Sequence, residues 1–124
     1  MRLWDIASGR ELQRFTGHSD WVMGVSFGPD GQWAVSAAAD GTARVWELTP
    51  GNLVRRFGTG AQSLIYSARL SADGRIVVTG HDSGLVVVWD ATTGQVIHQM
   101  GEGSTDHTAA VYAARANLKP VLVT

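Results

Sequence analysis

The stretch Gly17–Leu48 reads GHSDWVMGVSFGPDGQWAVSAAADGTARVWEL. It holds three apolar-rich runs, Val22–Phe27, Trp33–Ala37 and Ala43–Glu47, each of ordinary strand length. A Pro-Asp-Gly turn, Pro29–Gly31, separates the first two, and Asp40-Gly41 separates the second from the third. Antiparallel hairpins need short turns of this kind, because Gly accepts the positive φ and Asp bonds the turn's own backbone. The stretch therefore predicts a three-stranded meander.

The same pattern recurs on either side. Trp4-Asp5, Trp46-Glu47 and Trp89-Asp90 stand 42 and 43 residues apart. Gly9, Gly51 and Gly94 each follow a Trp by five residues, and Phe15, Phe57 and Met100 each follow by eleven. The turn at Pro29–Gly31 returns as Ala72-Asp73-Gly74, and Asp40-Gly41 as Ser83-Gly84. Marks aligned at so many offsets identify a structural repeat. The period divides the chain into 1–16, 17–58, 59–101 and 102–124. Predicted strands are Met1–Trp4 and Glu11–Phe15; Val22–Phe27, Trp33–Ala37, Ala43–Glu47 and Leu53–Phe57; Leu64–Leu70, Arg75–Thr79, Leu85–Trp89 and Val96–Met100; then Val111–Ala116 and Val121–Thr124. Gly101–Asp106 reads as a surface loop. Gly, Pro and Asp punctuate too often for an amphipathic helix, so the expected class is all-β.

Composition excludes several function classes. A formal charge of −1 on 124 residues gives no reason to expect nucleic acid or an anionic membrane as partner. The pair Arg55-Arg56 reads as a solvated strand face. Without cysteine there is no disulfide and no thiolate metal site. The start MRLWDIASGR has no signal-peptide core, and no apolar run reaches the length of a membrane helix. These features point to a soluble, cytoplasmic protein. His81-Asp82, His98 and His107 lack the spacing of a metal site and read as surface histidines, so neither metal nor cofactor is expected. Gly58-Thr59-Gly60 and Gly101-Glu102-Gly103 open no helix and offer no phosphate cradle.

The residues Gly17-His18, Phe27–Gly31, Asp40–Thr42 and Arg44–Leu48 together resemble the WD-repeat β-propeller family, related to the transducin β subunit. The resemblance covers essentially the whole chain. It implies blades of four antiparallel strands set around a channel. On that reading 17–58 and 59–101 are whole blades, 1–16 is the outer pair of one, and 102–124 is the inner pair of one. A blade buries its faces only against its neighbours. The chain is thus either part of a longer propeller or a piece that joins further copies head to tail.

The resemblance places His18, Ser36, Asp40 and Trp46 in a buried hydrogen-bonding tetrad. A buried indole N–H needs an acceptor, a serine hydroxyl supplies one, and the imidazole links that hydroxyl to the carboxylate. In the next repeat Ala61 stands at the His position and Ser83 at the Asp position; Thr79 and Trp89 remain, with Asp82 one residue off. The family's partner contacts flank the Val after the Gly-His pair. Here those positions are Trp21 and Met23, Leu64 and Tyr66, Ala110 and Tyr112, with Asp82 in a turn near that rim. Aromatic and sulfur-bearing side chains are typical interface anchors, although Trp21 and Tyr66 equally suit wedges between blades. The resemblance implies a protein or peptide partner. An architectural or regulatory module of a multidomain signalling protein is the second reading. A serine hydrolase built on Ser36, His18 and Asp40 is the third, and it lacks a nucleophile elbow and an oxyanion hole.

Overall fold

The computed structural model describes residues 1–28, 30–58 and 63–101, and all their regular structure is strand. The strands are β1 (Arg2–Trp4), β2 (Glu11–Arg14), β3 (Val22–Phe27), β4 (Trp33–Ala38), β5 (Ala43–Glu47), β6 (Leu53–Phe57), β7 (Ile65–Leu70), β8 (Ile76–His81), β9 (Val86–Asp90) and β10 (Val96–Met100). They form three antiparallel meanders: β1–β2, β3–β4–β5–β6 and β7–β8–β9–β10. The expected strands from 111 onward, with Tyr112 and His107, lie outside the described residues.

One device closes most of the hairpins. An Asp carboxylate accepts the backbone N–H two residues on: Asp5 from Ala7, Asp30 from Gln32, Asp40 from Thr42, Asp73 from Arg75 and Asp90 from Thr92, at 2.8–3.1 Å. The side chain mimics the next turn of backbone and satisfies a donor that the ladder leaves over. Each Asp thus fixes where a strand stops, and so fixes the register of the next.

Alternation then sorts each strand between two neighbours. In the second sheet Val35, Ala37, Ala43 and Val45 face the third sheet, and they form a core with Phe57, Ile65, Ala68, Val77, Val87 and Trp89. Ala34, Trp46 and Leu48 face the opposite way and pack with Phe15, Met1 and Leu3 of the first sheet. The second sheet is therefore apolar on both faces, as a layer inside a stack must be. Full burial of a Val, Ile or Phe contributes about 1.5–3 kcal/mol. Phe15 meets the Trp46 ring edge-on at 5.6 Å, and Phe57 meets Trp89 likewise at 5.8 Å. Each blade's tryptophan thus docks on the outer strand of the blade before it.

Two expectations are corrected. β8 ends at His81 instead of Thr79, because the His81 N–H still bonds the Leu85 carbonyl at 2.9 Å before the chain turns. Arg55 is not merely solvated: its Nη1 donates to the Thr93 carbonyl of the third sheet at 3.2 Å, and its stem lies against Gly94. Arg56 beside it is exposed.

The second and third sheets meet closely at β3 and β7. Ser26 donates its hydroxyl to the Ala68 carbonyl at 3.0 Å. A Cβ on Gly24 would sit 2.8 Å from the Tyr66 carbonyl oxygen, so any side chain there forces the backbones apart. Gly24→Ala is expected to cost about 1–3 kcal/mol, the range for overpacking. Urea denaturation at fixed protein concentration measures it.

Candidate functional site

The constellation with the look of chemistry is His18, Ser36, Asp40 and Trp46. β4 carries Ser36 and β5 carries Trp46 on the same face, so the indole Nε1–H reaches Ser36 Oγ at 2.9 Å. The segment entering β3 brings His18 over both. Its Nε2 lies 2.7 Å from Ser36 Oγ, and its Nδ1 lies 2.8 Å from Asp40 Oδ2. A carboxylate only accepts, so Nδ1 carries the proton and Nε2 accepts from Ser36. Asp40 also accepts from the Thr42 hydroxyl at 2.6 Å, the Thr42 N–H at 2.9 Å and the Ser19 N–H at 3.1 Å. Gly17 stands at φ +143°, a backbone conformation that side-chain-bearing residues rarely adopt, which is why glycine precedes this histidine.

These bonds make a fastener. Ser36 is 0 % exposed, its hydroxyl already accepts from the indole and donates to the imidazole, and no substrate carbonyl can approach it. A nucleophilic serine needs the reverse: an open face and an oxyanion hole beside it. Electrostatics agree with a static role. Burial raises the Asp40 carboxyl, but the Thr42 hydroxyl, His18 and two backbone N–H groups outweigh it and hold the carboxyl down at about 2. Burial lowers His18, and the neighbouring Asp40 opposes that only in part, so the imidazole is neutral beside an ionised carboxylate.

The third sheet rebuilds the clasp from other residues. Trp89 Nε1 donates to Thr79 Oγ1 at 3.0 Å, the counterpart of Trp46 and Ser36. The imidazole beside Thr79 belongs to His81, whose Nε2 lies 3.1 Å from Oγ1. His81 is 0 % exposed, which overturns its reading as a surface histidine. It comes from the same strand as Thr79, two residues on, so strand alternation puts both on one face. The sequence signal was there: Thr79-x-His81 is a period-two pair in a repeat whose usual His position holds Ala61. His81 Nδ1 is buried with no partner among the described residues. Asp82 accepts from the Ser63 hydroxyl at 2.6 Å, tying the incoming segment to the turn as His18 does one blade earlier. His98 lies exposed on β10.

The rim positions stand at the starts of the inner strands. Trp21 precedes β3 and its carbonyl accepts from the Ala39 N–H at 2.7 Å; Leu64 precedes β7 and its carbonyl accepts from the Asp82 N–H at 3.0 Å. Met23 and Tyr66 follow on β3 and β7, both exposed. Trp21 is 80 % exposed. Leu64 is half-buried, and the Asp82 carboxylate is engaged by Ser63.

Comparison with known proteins places these features in one class. A sequence model of the family described as "WD domain, G-beta repeat" matches residues 9–47 and 51–90. That match covers more than half of the chain, which therefore belongs to the WD-repeat family, and the sheets are propeller blades. Lissencephaly-1 homolog 1 of Paramecium tetraurelia is 44% identical over 48 residues, covering 39% of this chain and 12% of that protein. WD repeat and SOCS box-containing protein 1 of Homo sapiens is 33% identical over 72 residues, covering 57% of this chain and 17% of that protein. Nuclear distribution protein nudF of Aspergillus niger is 39% identical over 51 residues, covering 41% of this chain and 11% of that protein. The chain thus spans under a fifth of the length of these relatives.

Two outcomes follow from the clasp. Ser36→Ala strands the Trp46 indole N–H and the His18 ring nitrogen in the interior, at about 1–3 kcal/mol for each orphaned group; thermal unfolding reads the loss. Acidification acts in two steps. Burial lowers both His18 and His81 from their ordinary 6.5. The unfolded chain then binds protons first, and stability is full above pH 6.5 and declines below it. The Asp40 contribution is full above the ordinary 3.8 and is lost as pH falls through about 2. Melting temperature against pH is expected to show the first decline in the native chain and a shallower one in His81→Leu.

Proposed function

We propose that this chain is a protein-interaction scaffold that presents one propeller rim to a protein or peptide partner. The observation behind it is Trp21, an indole mostly in solvent at the rim end of β3, with Met23 close by on the same strand. Large exposed aromatics without a packing role are unusual on a soluble surface and are the strongest energetic anchors at interfaces. Tyr66 repeats the feature one blade along, so the two offer a stripe of aromatic and thioether surface. Leu64 and Tyr112 extend it in sequence register, and the fastened Asp82 carboxylate adds a fixed negative charge. The partner is an extended or loop segment with apolar side chains. Neither nucleic acid nor membrane is its counterpart, and a cytoplasmic place suits such a role.

A second reading has one observation in its favour. The human relative named for both WD repeats and a SOCS box joins the repeats to a further unit in one chain. On that reading the blades space or regulate an attached domain, and the rim is incidental. Trp21→Ala combined with Tyr66→Ala separates the two. Under the scaffold reading, affinity capture of partners is lost while the unfolding free energy stays within about 0.5 kcal/mol of the native chain's, as for surface changes generally. Retained capture contradicts it.

A further inference from the structure

We propose that a cleft between the second and third sheets binds a peptide segment that sets an apolar side chain beside a lysine or arginine. The cleft lies at the strand ends opposite Trp21, where β3 and β7 finish and β4 begins. It is separate from the aromatic rim, so either site can fail without the other. Its volume is about 440 Å³, inside the range of ~300–1,000 Å³ for ligand pockets.

The cleft forms where the core between the two sheets stops short of the turns. Trp33, Leu70 and Ala91 pack on that core and stay partly buried at its margin. One period earlier the margin is closed. Leu48 donates its N–H to the Gln32 carbonyl at 2.9 Å, and Ala91 donates to the Arg75 carbonyl at 2.8 Å, so the two hold the same place in successive repeats. Leu48 is buried in the cluster on which Met1 and Leu3 pack. Ala91 is too short to fill the equivalent space, and the cleft opens there. A bulge shapes the outer wall. Trp46 pairs with Leu53 and Val45 with Arg55, so Val54 is the extra residue and lines the cleft together with Arg55. The Arg55 stem lies against Gly94 and its guanidinium is bonded to Thr93, so this wall is held in place before any ligand arrives.

Charge identifies the occupant. Asp30 and Asp73, in the turns after β3 and β7, both line the cleft and both are exposed. Each commits Oδ1 to its own turn: Asp30 to the Gln32 N–H, Asp73 to the Arg75 N–H and the Ser71 hydroxyl. Among the described residues no hydrogen bond reaches either Oδ2, and no cation forms an ion pair with either carboxylate. Arg75 acts on Asp73 from nearby but does not line the cleft. Arg55, on the outer wall, is engaged by Thr93 and has Asp90 in its field. An apolar floor with two unpaired carboxylates at its lip suits an aliphatic side chain held by burial and an ammonium or guanidinium group held by charge.

A nuclear magnetic resonance titration of the 124-residue chain tests this with two capped dipeptides, leucyl-lysine and leucyl-glutamate. The lysine peptide is expected to shift the Trp33 indole and the Gly74 and Ala91 amide signals saturably at millimolar concentration, leaving Trp21 unmoved. The glutamate peptide is expected to bind about fivefold more weakly. Ala91→Leu installs the residue of the preceding repeat and is expected to abolish both titrations. Asp30→Asn with Asp73→Asn keeps the turn acceptors and is expected to erase the preference for lysine. The absence of saturable shifts at the cleft overturns the proposal, as does equal affinity for the two peptides or native binding by Ala91→Leu. Shifts confined to Trp21 and Tyr66 overturn it too, and leave the rim standing. Should a variant unfold, the two peptides on the native chain carry the same decision.

Discussion

A single indole N–H organises the second blade. Trp46 is buried so that its ring can dock on Phe15 of the sheet before it, and a buried donor without an acceptor costs about 1–3 kcal/mol. Ser36 meets that demand, and its own hydroxyl proton then needs His18, whose second nitrogen needs Asp40. The chain of obligations runs from the middle of a sheet to the loop that enters it. It holds the loop, the hairpin turn at Asp40-Gly41 and two strands in one geometry. The arrangement contains the residue types of a hydrolase and none of the access, so its content is mechanical.

The third blade shows which part of that constraint is general. The indole and its hydroxyl acceptor persist as Trp89 and Thr79, while the imidazole arrives from β8 and the tie to the incoming segment is made by Ser63 and Asp82. What the fold requires is satisfaction of the buried donor and some link from turn to loop. It does not require one set of side chains. The substitution leaves His81 Nδ1 without a described partner, so the two clasps are not equal in quality.

Much of this was legible in the sequence, for local reasons. Turn chemistry is written in adjacent residues, and the Asp side chains that close the hairpins bond only two positions away. The repeat period then placed the strands and the first clasp, because His18, Ser36, Asp40 and Trp46 all sit at standard offsets. What failed depended on position outside the register. His81 was read as a surface residue because a lone histidine without metal-ligand spacing usually is one, and only the alternation from Thr79 reveals its direction. Arg55 was read as solvated because a charge on an outer strand usually is, and its reach to Thr93 depends on where the next sheet sits. The ends of β8 moved for a similar reason: a ladder bond continued past the last β-branched residue.

The central claim is that the buried tryptophans are fasteners held by their N–H groups. Hydrogen exchange at the five indole Nε1 protons, followed by nuclear magnetic resonance, tests it most directly. Trp46 and Trp89 are expected to exchange orders of magnitude more slowly than Trp21, which stands in solvent. A Trp46 indole proton that exchanges as fast as that of Trp21 would contradict the account.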